Sequence, residues 1–344
     1  MKKIAILAGA AAAGLLAASF FRRNYVSLTG KVVVITGGSR GLGLEIARVC
    51  GARGARLVLA ARNHAELEAA AAELVGSGVR PEWIRVHACD VTEEAQVQEL
   101  IASATGFWGR VDVLVNNAGI ILVGPAETFN LSDFERTMQL NFFGALRTTL
   151  AVLPQMLGRQ SGAIVNISSI GGKVPVPHLL PYVASKFALT GWSTGLRTEL
   201  APKGIRVLTV SPGVMATGSP VQALFKGNAA AEYAWFATSA TLPLSAIDAG
   251  SAAVNIVDAL QQGKAELEVG LQAKLAARLV NLVPSATAVA LTLANNLLPS
   301  APSGAIGSGA PVPGSALESA LPAPLARRNK TNMRLHNQKV AAQP

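Results

Sequence analysis

Residues 31–43 read KVVVITGGSRGLG. The first part, Lys31–Thr36, is a short β-branched apolar run, and four glycines fall within the next seven residues. An apolar run of that length, ended by glycines, predicts a strand buried on both faces. Glycines let the backbone turn sharply and come close to a phosphate. A helix starting near Leu42 would then offer its first N–H groups to that anion. The spacing is G-x-x-x-G-x-G, not the common G-x-G-x-x-G. Such a loop carries little weight alone, and its weight here comes from its place at the head of a strand–helix series.

Strands and helices alternate downstream. Apolar strand patterns fall at Arg56–Ala60, Ile84–Cys89, Val111–Val115, Ala163–Ile167 and Ile205–Val210. Helical patterns lie between them at Leu42–Gly51, Ala65–Val75 and Glu93–Thr105. Near-continuous apolar strands separated by helices predict a parallel sheet covered on both faces. The expected fold is therefore α/β, a doubly wound parallel sheet of Rossmann type, forming one domain over residues 28–265.

The two ends differ from the middle. The chain has 344 residues and a net charge of +10, yet five unopposed cations lie in residues 1–31 and five in 321–344. The middle is formally neutral, so the basicity suits anionic lipid head groups better than nucleic acid. Ile4–Phe21 is uncharged over 18 residues between Lys2-Lys3 and Arg22-Arg23. At ~1.5 Å per residue it reaches roughly 27 Å, enough to cross a bilayer core. Residues 1–24 are thus expected to be a single-pass membrane anchor, with the following domain on the cytoplasmic side. The alternative is a signal peptide cleaved after Ala17-Ala18-Ser19, which would give a secreted or periplasmic protein.

Past residue 265 the composition changes. Residues 266–298 are Leu/Ala-rich and read as an apolar helical extension, a hairpin broken at Pro284. Residues 299–344 begin rich in Pro, Ser, Gly and Ala and end basic, which predicts a disordered tail. Cys50 and Cys89 sit in apolar surroundings, with no CxxC. The four histidines have no metal-ligand spacing, so no metal is expected.

Two chemical signals remain. The second strand ends at Ala61-Arg62, where an acidic residue would select NAD through the adenosine ribose hydroxyls. Arg62 there and Arg40 in the glycine loop suit a 2′-phosphate, so NADP(H) is the expected cofactor. The stretch YVASK at 182–186 sets Tyr182 four residues before Lys186, on one face of a helix. A cation beside a phenol lowers its pKa. On its own, the stretch is equally an ordinary exposed Tyr/Lys pair.

Taken together, TGGSRGLG (36–43), CDV around Asp90, NNAG (116–119), Asn141 in QLNFFG, NISSIGG (166–172), YVASK and SPG (211–213) resemble the classical short-chain dehydrogenase/reductase family. They occur in family order over about 240 residues. The resemblance implies that Tyr182 is the general acid/base and that Lys186 holds the nicotinamide ribose and lowers the Tyr182 pKa. It also implies that Ser169, rather than Ser168, hydrogen-bonds the substrate oxygen, and that Asn141 supports a proton relay to Lys186. Thr36, Gly37, Ser39, Arg40, Gly41, Leu42 and Gly43 would hold the cofactor phosphates. Asp90 and Val91 would meet the adenine, and Asn117, Ala118 and Gly119 would line the cleft. Pro212 and Gly213 would flank the nicotinamide, with Thr217 reaching its carboxamide or the phosphates.

The implied activity is hydride transfer between NADP(H) and a carbonyl or secondary alcohol. Met215, Leu224, Phe225, Tyr233, Trp235 and Phe236 in the lid segment 214–244 point to an apolar, lipid-like substrate. The family forms homodimers or homotetramers, and either is expected here. Two competing readings are an NADP(H) sensor and a membrane-associated scaffold, each without turnover.

Overall fold

The computed structural model describes residues 25–241, 246–307 and 309–338. The expected anchor, residues 1–24, lies outside them. Among the described residues no helix is long and apolar enough to cross a membrane.

The central sheet is built from β1 (Val32–Thr36), β2 (Arg56–Ala61), β3 (Ile84–Ala88), β4 (Val113–Asn116), β6 (Gly162–Ile167), β7 (Ile205–Pro212) and β9 (Glu266–Val269). It is seven-stranded and parallel, in the order β3-β2-β1-β4-β6-β7-β9. Alternation of side chains sends Val33 and Ile35 to one face and Val32 and Val34 to the other, and all four are buried. One face is covered by α1 (Gly41–Ala52), α2 (His64–Gly76) and α8 (Ala249–Gln261). The other is covered by α3 (Glu94–Trp108), α5 (Gly144–Arg159) and α6 (Leu180–Leu200). Cys50 and Cys89 are free and buried in these layers, and burial pushes the Cys50 thiol up to about 12.

The direction of strand order reverses between β1 and β4. In open α/β sheets the crevice beyond the carboxyl ends of such a strand pair is where ligands bind. The glycine loop leaves β1 there and residues 116–119 leave β4 there.

Two expectations for the C-terminal half differ from the structure. Residues 266–269, placed by their sequence at the start of the helical extension, instead form a seventh strand, Thr209 pairing with Glu266 and Pro212 with Val269. The strand carries Glu266 and Glu268, so its sequence lacks an apolar strand signature. Those charges suit an edge strand, and Lys173 Nζ binds both, at 2.8 and 2.6 Å.

The second difference is the tail, which carries ordered elements over much of 309–338. Strand β10 (Val312–Pro313) pairs antiparallel with β8 (Leu224–Phe225), which also pairs with β5 (Leu122–Val123). A short 3-10 segment (Gly314–Ala320) and α11 (Ala323–Leu335) follow. Leu321 and Leu325 pack with Phe225 and with Tyr233 of the lid helix α7 (Ala229–Thr241). Composition argues for disorder, but a few apolar anchors spaced along the segment suffice to dock it on an existing cluster.

Before the tail lie two helices, α9 (Leu271–Leu282) and α10 (Pro284–Asn295), broken at Val283 ahead of Pro284.

Candidate active site

The glycine loop is held from β4. Thr36 Oγ1 accepts from the N–H groups of Asn117 and Ala118, both at 3.1 Å. Asn117 Nδ2 donates to the carbonyls of Thr36 and Gly37 at 3.1 and 3.0 Å. Gly37 has φ +63, and a Cβ on Gly43 would lie 2.1 Å from the Gly37 carbonyl oxygen. Only glycines allow this turn to fold back on its own helix. Leu42 is buried at the start of α1.

At the adenosine end the two arginines differ. Arg62 is exposed at the end of β2. Arg40 donates to Glu66 Oε2 at 2.7 Å, and Ser39 Oγ lies 3.3 Å from the same oxygen. Asp90 Oδ1 accepts from the Thr92 N–H and hydroxyl at 2.9 and 2.8 Å. Val91 is buried against Gly144, where a Cβ would come within 2.7 Å of it.

Deeper in the cleft, α6 carries Tyr182 and Lys186 on one face. Lys186 Nζ lies 5.7 Å from the Tyr182 ring centroid and donates to the Ile167 carbonyl at 2.9 Å. Burial pushes the Lys186 ammonium down to about 8. Burial also raises the Tyr182 hydroxyl above its ordinary value, and a hydrogen bond with Ser169 opposes that rise. The protein alone therefore does not give Tyr182 the lowered pKa expected from Lys186.

The two serines have separate tasks. Ser169 accepts from the Gly171 N–H at 3.0 Å and contacts Tyr182. Ser168 is buried, bound to the Lys186 carbonyl at 3.1 Å and to Thr190 Oγ1 at 2.7 Å. Between 170 and 172 the backbone runs close under the tyrosine, and a Cβ on Gly171 would sit 3.2 Å from the Tyr182 ring.

Asn141 sits on a single wide π turn, Gln139–Phe143, that joins α4 (Leu131–Met138) to α5. Such bulges re-aim a side chain without ending the helix and recur at functional sites. Asn141 Oδ1 accepts from the Ile120 N–H at 2.8 Å, and its Nδ2 donates to the Ile120 carbonyl and Ser185 Oγ. Gly119 separates it from Lys186, for a Cβ there would be 3.1 Å from Asn141 Oδ1 and 3.6 Å from Lys186 Nζ.

Beyond these side chains, Pro212 ends β7 and the Gly213 N–H donates to the Val269 carbonyl at 3.0 Å. Thr217 is buried, and its Oγ1 accepts from the Ser219 N–H at 3.1 Å.

A match to the short chain dehydrogenase family model covers residues 31–224, more than half of the chain. The chain belongs to the short-chain dehydrogenase family. A dehydrogenase/reductase SDR family protein 7-like from Anopheles gambiae is 36% identical over 59% of this chain and 65% of its own length. Mouse dehydrogenase/reductase SDR family member 7B is 38% identical over 59% and 63%, and a fatty acyl-CoA reductase of Acinetobacter baylyi 39% over 56% and 64%. The matches thus span under two thirds of each of these curated relatives. Among solved structures, a short-chain dehydrogenase from Streptomyces avermitilis aligns with TM-score 0.66 at 32% identity, over 79% of this chain and all of that one. A tryptophan variant of actinorhodin polyketide ketoreductase, solved with NADPH, aligns with TM-score 0.61 at 30% identity, over 72% and 97%.

Several side chains of this short-chain dehydrogenase make contacts that its motifs, even where they contain the residue, do not announce. His178 has φ +60 and its Nδ1 lies 2.9 Å from Glu232 Oε1, while Trp235 Nε1 donates to Glu232 Oε2 at 2.7 Å. This buried group joins the segment before Tyr182 to the lid. Asn116 and Asn166 bond each other at 2.8 Å, and Asn166 continues through Ser193 to Thr209. That chain of buried side chains fixes α6, and so Lys186, relative to the sheet. Phe225 and Tyr233, expected to line the substrate site, are fully buried in the lid's own cluster.

Proposed function

We propose that this chain is an NADP(H)-dependent oxidoreductase acting on a carbonyl or secondary alcohol of apolar, lipid-like character. The observation that carries the reading is the convergence of Ser169, Tyr182, Lys186 and Asn141 beside the cleft at the sheet's switch point. The cradle fits a dinucleotide, with a tight loop that only glycines at 37 and 43 allow and a buried ammonium deep in the cleft. When bound, the nicotinamide supplies or takes up the hydride.

The chain's own residues manage the oxygen. Tyr182, whose pKa desolvation raises further above neutrality, gives its hydroxyl proton to the carbonyl oxygen as negative charge develops there. Ser169 donates a second hydrogen bond to that oxygen. Lys186, held by the Ile167 carbonyl, would hold the ribose and stabilise the phenolate left behind. Asn141, fixed on both sides by Ile120, would keep the path to Lys186 open. The phosphate-selecting groups would be Arg62, already exposed, and Arg40, which must first leave Glu66. A sensor or scaffold without turnover has no use for the Ser169–Tyr182 contact.

Apolar surroundings support the substrate class. Ile121, Val176, Trp235 and Phe236 are partly buried in the cluster that contains Tyr182. The relative named as a fatty acyl-CoA reductase agrees with it. Membrane attachment through residues 4–21 is part of the same proposal. It is supported by the α9–α10 hairpin, where Leu271, Leu282 and Leu293 are 72%, 76% and 62% exposed beside Lys274 and Arg278. Exposed Leu150 on α5 and Phe187 on α6 support a homodimer or homotetramer.

The test is a series of aldehydes and ketones of rising alkyl length with NADPH. kcat/KM should rise about fourfold per added methylene while the chain is being buried, from ~0.8 kcal/mol each. Preference for short polar ketones would remove the apolar assignment. No turnover of any carbonyl with either nicotinamide cofactor would remove the oxidoreductase assignment itself.

A further inference from the structure

The glycine loop already has an occupant from the same chain. After α11 the backbone crosses to the start of α1, where the Gly41 N–H donates to the His336 carbonyl at 2.8 Å. Asn337 Nδ2 donates to the Ser39 carbonyl at 2.8 Å. The Gln338 amide packs so closely that a Cβ on Gly41 would lie 2.7 Å from its Nε2. His336 Nδ1 is 2.9 Å from Glu45 Oε1, one turn into α1. His336, Asn337 and Gln338 are 6%, 7% and 4% exposed. Upstream, Met333 covers Gly218, next to Thr217.

These contacts sit where a dinucleotide's phosphates are expected. The first N–H groups of α1 are the anion-binding feature of the loop, and one of them is spent on a peptide carbonyl. A peptide carbonyl satisfies such a donor without bringing the charge that the site is built to receive. We propose that the C-terminal segment 336–338 is a built-in competitor for the cofactor site, and that α11 must lift from the glycine loop before the dinucleotide enters. This rests on the cofactor reading above.

The closed arrangement is suited to opening. Gln338 Oε1, Asn332 Nδ2 and Asn329 Oδ1 are buried without a hydrogen-bond partner. Each such group lacks the hydrogen bond that water would give it once exposed. The lid-side anchors, Leu321 and Leu325 on the cluster of Phe225 and Tyr233, lie a full helix away from His336. The far end can therefore release while the near end stays docked. Glu45 keeps a partner in either state, because Arg48 on the same helix binds it as well as His336.

Hydrogen exchange of the full-length chain with and without saturating NADPH tests the proposal. Cofactor should protect residues 36–43 and at the same time speed exchange in 323–338. Protection of both segments would overturn the competitor and make the tail a clamp on bound cofactor, and an unchanged tail would overturn it too. No response in 36–43 to NADPH or NADH would overturn the cofactor reading, and this inference with it. As a second measurement, Asn337→Ala/Gln338→Ala in the full chain should tighten NADPH binding. If the wild-type site is open a tenth of the time, the gain is about tenfold. Equal or weaker binding by a variant that melts like wild type would contradict the proposal.

Discussion

The Arg40 guanidinium donates to Glu66 Oε2 at 2.7 Å, with both side chains partly exposed at the mouth of the adenosine end. The arginine expected to meet a 2′-phosphate is thus held by a carboxylate that would repel that phosphate. Glu66→Gln should raise NADPH affinity three- to fivefold, the ceiling for a partly exposed pair worth up to ~1 kcal/mol. NADH affinity should hardly change. Equal gains for both cofactors in a binding titration would show that Arg40 does not read the phosphate.

The two neighbouring serines separate chemistry from stability. Ser169→Ala should lower kcat/KM by about 10²–10³, as for a lost donor to a developing oxyanion, with an unchanged denaturation midpoint. Ser168→Ala should do the reverse, costing ~1–2 kcal/mol for its two buried hydrogen bonds while retaining most activity. A reversal of those effects in parallel kinetic and urea measurements would move the catalytic role to Ser168.

Lys186 gives a pH dependence with a definite sign. Its folded pKa, about 8, lies below the ordinary 10.5 because burial disfavours the charge. Between those values the unfolded chain holds the proton and the folded chain does not, so this group makes stability rise with pH across that window. Cofactor binding, which uses the ammonium, should run the other way and weaken above pH 8. Lys186→Met should bind cofactor more weakly at pH 7 and lose that pH dependence. Wild-type binding that stays flat to pH 9.5 would contradict the role assigned to the ammonium.

Glu232 is fully buried between His178 and Trp235. Glu232→Ala leaves both partners without it and should cost about 3 kcal/mol in urea unfolding. Since the pair ties the lid helix to the segment before Tyr182, KM should rise more than kcat falls. A loss under 1 kcal/mol, within the range of a surface pair, would mean the contact is incidental.

Much of this molecule is legible in its sequence, for physical reasons that also explain the gaps. The five interior strands announce themselves because strands buried on both faces must be apolar throughout, as in Val32–Thr36. The edge strand Glu266–Val269 needs no such run, and its glutamates are matched by Lys173 from a distant segment. The glycine loop and YVASK are readable because their chemistry is local in sequence. The His178–Glu232 and Asn116–Asn166 contacts join residues 54 and 50 positions apart, with nothing local to mark them. The tail has the average composition of a disordered segment, whereas its docking depends on a few residues, Leu321, Leu325 and Met333, meeting surfaces made elsewhere.

The most direct test of the central claim is nicotinamide oxidation by the full-length chain and by Tyr182→Phe, with NADPH and NADH in parallel over long-chain carbonyls. The account predicts that NADPH is used at least about tenfold more efficiently, a difference of ~1.4 kcal/mol. It also predicts that Tyr182→Phe loses roughly 10²–10⁴ in kcat while binding NADPH as wild type does. Activity retained without the tyrosine hydroxyl, or a preference for NADH, would contradict it.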